Sequence, residues 1–355
     1  MADFPLANGS DAPEVFLPRH ASSLELQLQG SVLETSIGSL KLPNPVLSAS
    51  GTYGSGWEAR SFVDLAGVGA LVSKTVTLHP RHGNPPPRIQ ETSNGMLNSI
   101  GLENKGAEVF LAQALPRMKS LGPSVMVNIG GEAIDEFVQL AELFSAAGVD
   151  ALEVNLSCPN VQEGRLFFST EPRLCEQAIA AVKRVATVPV FAKLSPNVTD
   201  IVEIARAAEQ GGADGITAIN TLIGMAIDWR QRRPLLARGI GGLSGPAIKP
   251  VAVRLVHDIS KAVQIPVIGV GGASSAEDVL EFVCAGASAV QIGTAAFADP
   301  TIMVRIIEDL ERLLQQEGTT IADLRGSVRP ALQPAPAAAP PAAKESSSGS
   351  AEVHG

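Results

Sequence analysis

The sequence predicts an α/β fold, and within that class a (β/α)8 TIM barrel, from three observations. Eight short apolar runs recur between residues 46 and 292, segments of helical period separate most of them, and polar residues gather where the runs end. Strands buried on both faces of a parallel sheet read as unbroken apolar runs, and eight of them with helical crossovers suit a closed barrel better than an open sheet.

The predicted strands are 46–50, 70–74, 125–129, 151–155, 190–193, 215–219, 267–270 and 289–292. Helices are predicted at 134–147, 171–186, 201–210, 248–263 and 276–285, where apolar residues recur with the 3.6-residue period. A doubly wound open sheet is the alternative. It is disfavoured because neither Gly239-Ile240-Gly241-Gly242-Leu243-Ser244 nor Gly269-Val270-Gly271-Gly272-Ala273-Ser274 completes the G-x-G-x-x-G turn of a dinucleotide-binding unit. Residues 1–30 are mixed and polar and read as an N-terminal extension, and 31–318 as the barrel domain. Residues 326–355 turn rich in Pro, Ala and Ser, a composition that cannot bury a core and predicts a disordered tail.

Composition narrows the partners. With 45% hydrophobic residues among 355 the chain has ample material for a core, and a net charge of -9 argues against nucleic acid or an anionic membrane as its main partner. Cys158, Cys175 and Cys284 are too few and too scattered for a disulfide framework, and no C-x-x-C pair is present to hold zinc or an iron–sulfur cluster. No apolar run approaches the roughly 18 residues that span a bilayer, and the first 30 residues lack a basic-then-apolar signal pattern. A reducing, cytoplasmic location is the expectation. The five histidines show no metal spacing and none ends a predicted strand, so no metal site is expected.

Active sites of this fold gather at the carboxyl ends of the strands. Strand by strand those ends offer Ser50, Lys74, Asn128, Asn155 with Cys158, Lys193, Asn220 with Thr221, Gly271-Gly272 and Gly293-Thr294. Amides, amines, a thiol and glycines would therefore ring one cavity. In Glu153-Val154-Asn155-Leu156-Ser157-Cys158-Pro159-Asn160, the proline forces Cys158 out of helical geometry and leaves the thiol at a strand mouth, where it can move a proton. A free cysteine is as often a small buried hydrophobe, so this segment alone leaves both readings open. Lys193 ends a buried strand, where an ammonium needs an anionic or electron-rich partner, and a flavin that becomes anionic on reduction is one. Lys74 raises the same argument against a simple snorkelling lysine. Glycines after the seventh and eighth strands would let backbone N–H groups approach a phosphate. The long segment Gly95-Met96-Leu97-Asn98-Ser99-Ile100-Gly101-Leu102-Glu103-Asn104 reads as a loop folded over a ligand, and 81–88, with three prolines, as a rigid connector.

These residues resemble the dihydroorotate dehydrogenases, soluble class 1, and within it the NAD-linked 1B branch, over roughly residues 32–315. The likeness rests on Asn155-Leu156-Ser157-Cys158-Pro159-Asn160-Val161, Lys74-Thr75-Val76-Thr77, Gly83-Asn84-Pro85-Pro86-Pro87-Arg88, Met96-Leu97-Asn98-Ser99-Ile100-Gly101-Leu102, Lys193-Leu194-Ser195-Pro196-Asn197 and 242–250, which begins Gly242-Leu243-Ser244-Gly245. The resemblance implies an FMN-binding barrel that oxidises (S)-dihydroorotate to orotate in pyrimidine synthesis, with hydride passing from C6 to flavin N5 and the C5 proton to Cys158. It implies that Asn98, Ser99, Ile100, Gly101 and Leu102, with Asn155, Asn220 and Thr221, hold the substrate, and that Lys74 touches both substrate and flavin. It implies that Ser50, Thr75, Asn128, Asn155, Lys193, Ile219, Gly245, Gly271, Gly272, Gly293 and Thr294 hold FMN. Glu103 departs from the glutamine of many relatives.

The 1B likeness further implies a partner subunit carrying FAD and an iron–sulfur cluster, in a heterotetramer of two catalytic and two electron-transfer chains. The class 2 enzymes carry serine at the cysteine position and an N-terminal membrane segment, and the sequence shows neither. Three alternatives are a fumarate-dependent class 1A homodimer, a dihydropyrimidine dehydrogenase-like flavin barrel, and a non-catalytic FMN-binding barrel. Turnover with fumarate alone separates the first, action on uracil derivatives the second, and an intact Cys158 and substrate loop argue against the third.

Overall fold

The computed structural model of the chain describes residues 31–156 and 168–330; the expected N-terminal extension, the tail beyond residue 330 and Cys158 lie outside the described residues. Eight parallel strands close into a barrel: β1 Val46–Ser48, β2 Ala70–Val72, β3 Ser124–Ile129, β4 Ala151–Asn155, β5 Val190–Leu194, β6 Gly215–Ala218, β7 Val267–Val270 and β8 Ala287–Ile292. Each falls on a predicted run. Closure is made by β8 against β1, with Val290 opposite Val46 and Ile292 opposite Ser48.

Five helices match the predicted segments to within a few residues: α1 Ile134–Ala146, α2 Pro172–Lys183, α3 Ile201–Gln210, α4 Lys249–Ser260 and α5 Ala276–Ala285. Their starts are written locally. Asp200 accepts from the Val202 N–H ahead of α3, Pro172 opens α2, and Ser275 and Asp278 form a reciprocal capping box on α5. A sixth helix, α6 Ile302–Glu317, extends the pattern beyond the segments predicted, with Ile302, Met303, Ile306, Leu310 and Leu314 buried along one face. Among the described residues no helix is long and apolar enough to cross a membrane.

Side chains alternate across each strand, so every second residue faces the lumen. The outward set, including Leu71, Val125, Val127, Leu152, Val154, Ala192, Ile216 and Val290, packs under the helices in one large cluster. The inward set forms a separate one: Leu47, Ala70, Val72, Met126, Ala151, Phe191, Ile268 and Ala289, sealed by Ile37 and Leu42. Those two sealing residues come from an antiparallel hairpin, Thr35–Ile37 with Leu40–Leu42, that the sequence reading did not anticipate. Strands of three residues carry too little alternation to be seen. At the same end, Asp150 Oδ2 accepts from the Val125 N–H at 2.7 Å and Asp214 Oδ2 from the Val190 N–H at 2.7 Å, binding the start of each strand to the next.

The segment read as a loop over a ligand is in part regular. Gly95–Asn98 pairs with Ile89–Thr92 and with Gly241–Ser244, which pairs in turn with Leu222–Gly224, making a four-stranded antiparallel sheet. It joins the excursion that follows β2 to the one that follows β6. Its strands are short and three of the four carry glycine, so alternation was masked. Gly326, the first residue of the predicted tail, donates its N–H to Val283 O at 3.0 Å.

Candidate active site

Two residues beyond the apolar inward set, the same strands change chemistry. The lumen layer above Met126, Ala151, Phe191 and Ala289 holds Asn128, Glu153, Lys193, Thr217 and Gln291, all buried. Asn128 Nδ2 donates to Glu153 Oε1 at 2.5 Å, Gln291 Nε2 to Glu153 Oε2 at 2.6 Å, and Lys193 Nζ to Glu153 Oε1 and Gln291 Oε1, each at 3.3 Å. Two polar atoms of this layer, Asn128 Oδ1 and Thr217 Oγ1, are buried without a hydrogen-bond partner among the described residues. Buried polar atoms are ordinarily satisfied, so a pair left open in one layer marks a place where something else binds.

Above this layer stand the next inward residues. Asn155 Nδ2 donates to Thr75 Oγ1 at 3.3 Å, tying β4 to the segment after β2. Lys74 is half-buried. Burial holds its ammonium below the ordinary lysine range, Glu103 works against that by favouring the charge, and Arg88 adds to the depression. Glu103 is paired with Arg88 at 2.5 Å and puts a carboxylate within electrostatic reach of Lys74.

The loop 98–104 is held on several sides. Asn98 Nδ2 donates to Gly242 O at 3.4 Å, Asn84 Nδ2 to Ser99 O at 2.9 Å, and Asn104 Nδ2 to Leu102 O at 2.8 Å. Leu102 takes a left-handed φ of 55°. Asn220 follows β6, its N–H donating to Leu194 O, and its Oδ1 accepts from the Thr221 N–H at 2.7 Å. Ile219 N donates to Val270 O at 2.9 Å, placing Ile219 beside the Gly271 turn.

The glycine-rich side is close-packed. Gly272 has φ +83°, and a Cβ there would stand 2.7 Å from Gly245 O and 2.9 Å from Lys249 N; Gly245 has φ +97°, and a Cβ there would meet Gly95 Cα at 2.6 Å. Only glycine fits either position. Thr294 Oγ1 donates to Ser244 Oγ at 2.8 Å, and Gly293 lies against Ala49 at the end of β1. Ser50 is half-buried two residues past β1.

The structure thus draws the described residues of all eight predicted strand ends, together with the 98–104 loop, to one end of the barrel. Sequence reasoning missed Glu153 and Gln291, although each was visible as a long polar side chain inside an apolar strand, at the spacing that points it inward. Thr217 carried no such signal, since threonine is an ordinary strand residue.

Comparison with known proteins identifies the family. The family model described as dihydroorotate dehydrogenase matches residues 32–314. The catalytic subunit of dihydroorotate dehydrogenase B (NAD(+)) from Geobacillus kaustophilus is 51% identical over 287 residues, which cover 81% of this chain and 92% of the relative. The protein of that name from Halalkalibacterium halodurans is 49% identical over 298 residues, 83% of this chain and 98% of the relative. That from Trichlorobacter lovleyi is 50% identical over 293 residues, 82% and 96% of the two chains. Half the residues are shared along nearly the whole of each relative, over the span that builds the barrel and its polar end, and the chain belongs to the dihydroorotate dehydrogenase family.

Proposed function

We propose that the chain oxidises (S)-dihydroorotate to orotate in pyrimidine synthesis, with FMN held at the carboxyl end of the barrel and Cys158 as the base. The observation that carries this reading is the buried polar layer in which Asn128 Oδ1 and Thr217 Oγ1 are left without a hydrogen-bond partner among the described residues. A flat heteroaromatic ring with N–H and carbonyl edges suits that donor and acceptor set. When bound, the flavin supplies the two-electron acceptor for the substrate hydride.

The chain's own residues supply the rest. Asn128 offers an acceptor to a ring N–H, Lys193 an ammonium to the electron-rich edge, and Ile219 an apolar side chain to the ring face. Thr75, Asn155 and Ser50 continue the cofactor side, and Gly245, Gly271, Gly272, Gly293 and Thr294 let backbone N–H groups reach a phosphate. Lys74 bridges to the substrate. Asn98, Ser99, Ile100, Gly101 and Leu102, with Asn155, Asn220 and Thr221, match the imide edge and carboxylate of a dihydropyrimidine. Cys158, three residues past Asn155, takes the C5 proton. The barrel domain so defined runs over 31–318, with 1–30 as an extension and 326–355 as a tail.

The names of the relatives, catalytic subunits of an NAD(+) enzyme, favour an electron route to NAD through a second subunit over a fumarate-dependent homodimer. We assign that partner FAD and an iron–sulfur cluster, in a tetramer of two subunits of each kind, in the cytoplasm. Anaerobic titration of the purified, FMN-loaded chain with dihydroorotate tests the reading: bleaching of the oxidised flavin absorbance is expected without any partner. A flavin that stays oxidised would overturn the substrate, and a chain that takes up no FMN would overturn both substrate and cofactor.

A further inference from the structure

Glu153 has no task in the reaction as written, yet it is the centre of the lumen's polar layer. Among the described residues it and Lys193 are the only charged side chains in the buried class, and Glu153 has no exposed surface at all. Three strands donate to it: Asn128 from β3, Lys193 from β5 and Gln291 from β8. In the ring of eight, β8 and β4 stand four places apart, so the 2.6 Å bond from Gln291 to Glu153 crosses the lumen.

Stability does not account for this arrangement. A buried ion pair is costly to desolvate and is commonly replaceable by apolar side chains of similar volume, as the layer beneath is built. The arrangement instead fixes the two groups that donate to Glu153 Oε1 from β3 and β5. Because Asn128 turns its Nδ2 to Glu153, its Oδ1 is the atom left open. Because Lys193 spans Glu153 and Gln291, its ammonium is held in place and its charge is offset.

Resting on the FMN reading above, we infer that Glu153 is a positioning residue: it aims Asn128 and Lys193 at the flavin and, as counter-charge to Lys193, sets how readily the flavin accepts electrons. A cation beside the ring favours the reduced, anionic flavin, and a carboxylate behind that cation moderates the effect.

The test uses the full-length, FMN-loaded chain and its equilibrium with redox dyes. Glu153→Gln keeps the shape and removes the charge, so the ratio of reduced to oxidised flavin at a fixed poise should rise tenfold or more, a midpoint about 30 mV higher for a two-electron couple. Glu153→Asp keeps the charge on a shorter arm that cannot reach all three donors. It should hold that ratio within about threefold of the parent while weakening FMN binding at least threefold. A Gln variant with the parent's midpoint would overturn the inference, as would an Asp variant that reproduces the Gln shift. If the Gln variant does not fold, an Asp variant with parental midpoint and parental FMN affinity overturns it alone. A parent chain that binds no FMN would fail the reading beneath this one and would do so before any variant is made.

Discussion

The two ends of this barrel are made by the same strands and obey opposite rules. At the amino end the lumen is dry: Met126, Ala151, Phe191 and Ala289 fill it, Ile37 and Leu42 seal it, and Asp150 and Asp214 bind the strand starts together. One inward position further along, a rise of about 7 Å, Met126 gives way to Asn128, Ala151 to Glu153, Phe191 to Lys193 and Ala289 to Gln291. The contrast teaches that the apolar end is what makes the polar end possible. Charges and amides can be kept buried and aimed only where the strands that carry them are already fixed by close packing.

The largest effect should come from breaking the dry end. Phe191→Ala removes a fully buried ring from the inward cluster and should cost about 3–5 kcal/mol of stability, read as a lower midpoint in urea unfolding. A variant that unfolds like the parent would show that the hairpin seal, not the packed layer, fixes the barrel. At the other end the expected result is inverted. Cys158→Ala should leave the unfolding midpoint and FMN content near the parent's and lower turnover about a hundredfold or more, equivalent to roughly 2.7 kcal/mol of barrier. Full activity in that variant would remove the thiol from the reaction.

That inversion also explains what the sequence could reveal. The eight strands were legible because burial on both faces leaves an unbroken apolar run, and the helices between them because one face is apolar. The polar end was legible as a list of strand-end residues, and Asn128, Asn155 and Lys193 do stand together there. The order within it was not. Nothing in the run Ala-Leu-Glu-Val-Asn says that Glu153 faces across the lumen to Gln291, 138 residues later, because that meeting is set by barrel closure rather than by local pattern. The antiparallel sheet that carries Asn98 was hidden for a related reason, since its partner strand Gly241–Ser244 is remote in sequence and rich in glycine.

A smaller effect sharpens the comparison at the glycine side of the polar end. Partial burial by itself would raise Asp278, but the Lys249 ammonium and the Ser274 N–H and hydroxyl outweigh it and hold the carboxyl below its usual 3.8. Its stabilising share is therefore complete above the unfolded value and is lost as pH falls through the lower, folded one. Asp278→Asn should cost about 1 kcal/mol near neutrality, the scale of a helix cap, through the loss of the charged acceptor in the box with Ser275 and of the Lys249 pair. Thermal melts from pH 7 to pH 3 should show the gap between variant and parent closing at the acid end. A gap that persists there would mean that Asp278 acts through packing.

The smallest change expected is a shift along the pH axis, and it concerns the carboxylate of Glu103 beside Lys74. Burial depresses Lys74, and Glu103 is the group that opposes the depression. Loss of the Lys74 proton should weaken dihydroorotate binding, so KM should rise on the alkaline side, earlier than an ordinary lysine would allow. Glu103→Gln removes the favourable carboxylate and at the same time releases Arg88, paired with it at 2.5 Å, whose own charge pushes Lys74 further down. Both consequences have the same sign. The alkaline limb of KM should therefore move to lower pH in the variant, with kcat at neutral pH changed little. A limb that moves to higher pH, or stays in place, would show that Lys74 does not govern it and that the carboxylate at Glu103 serves only to hold Arg88.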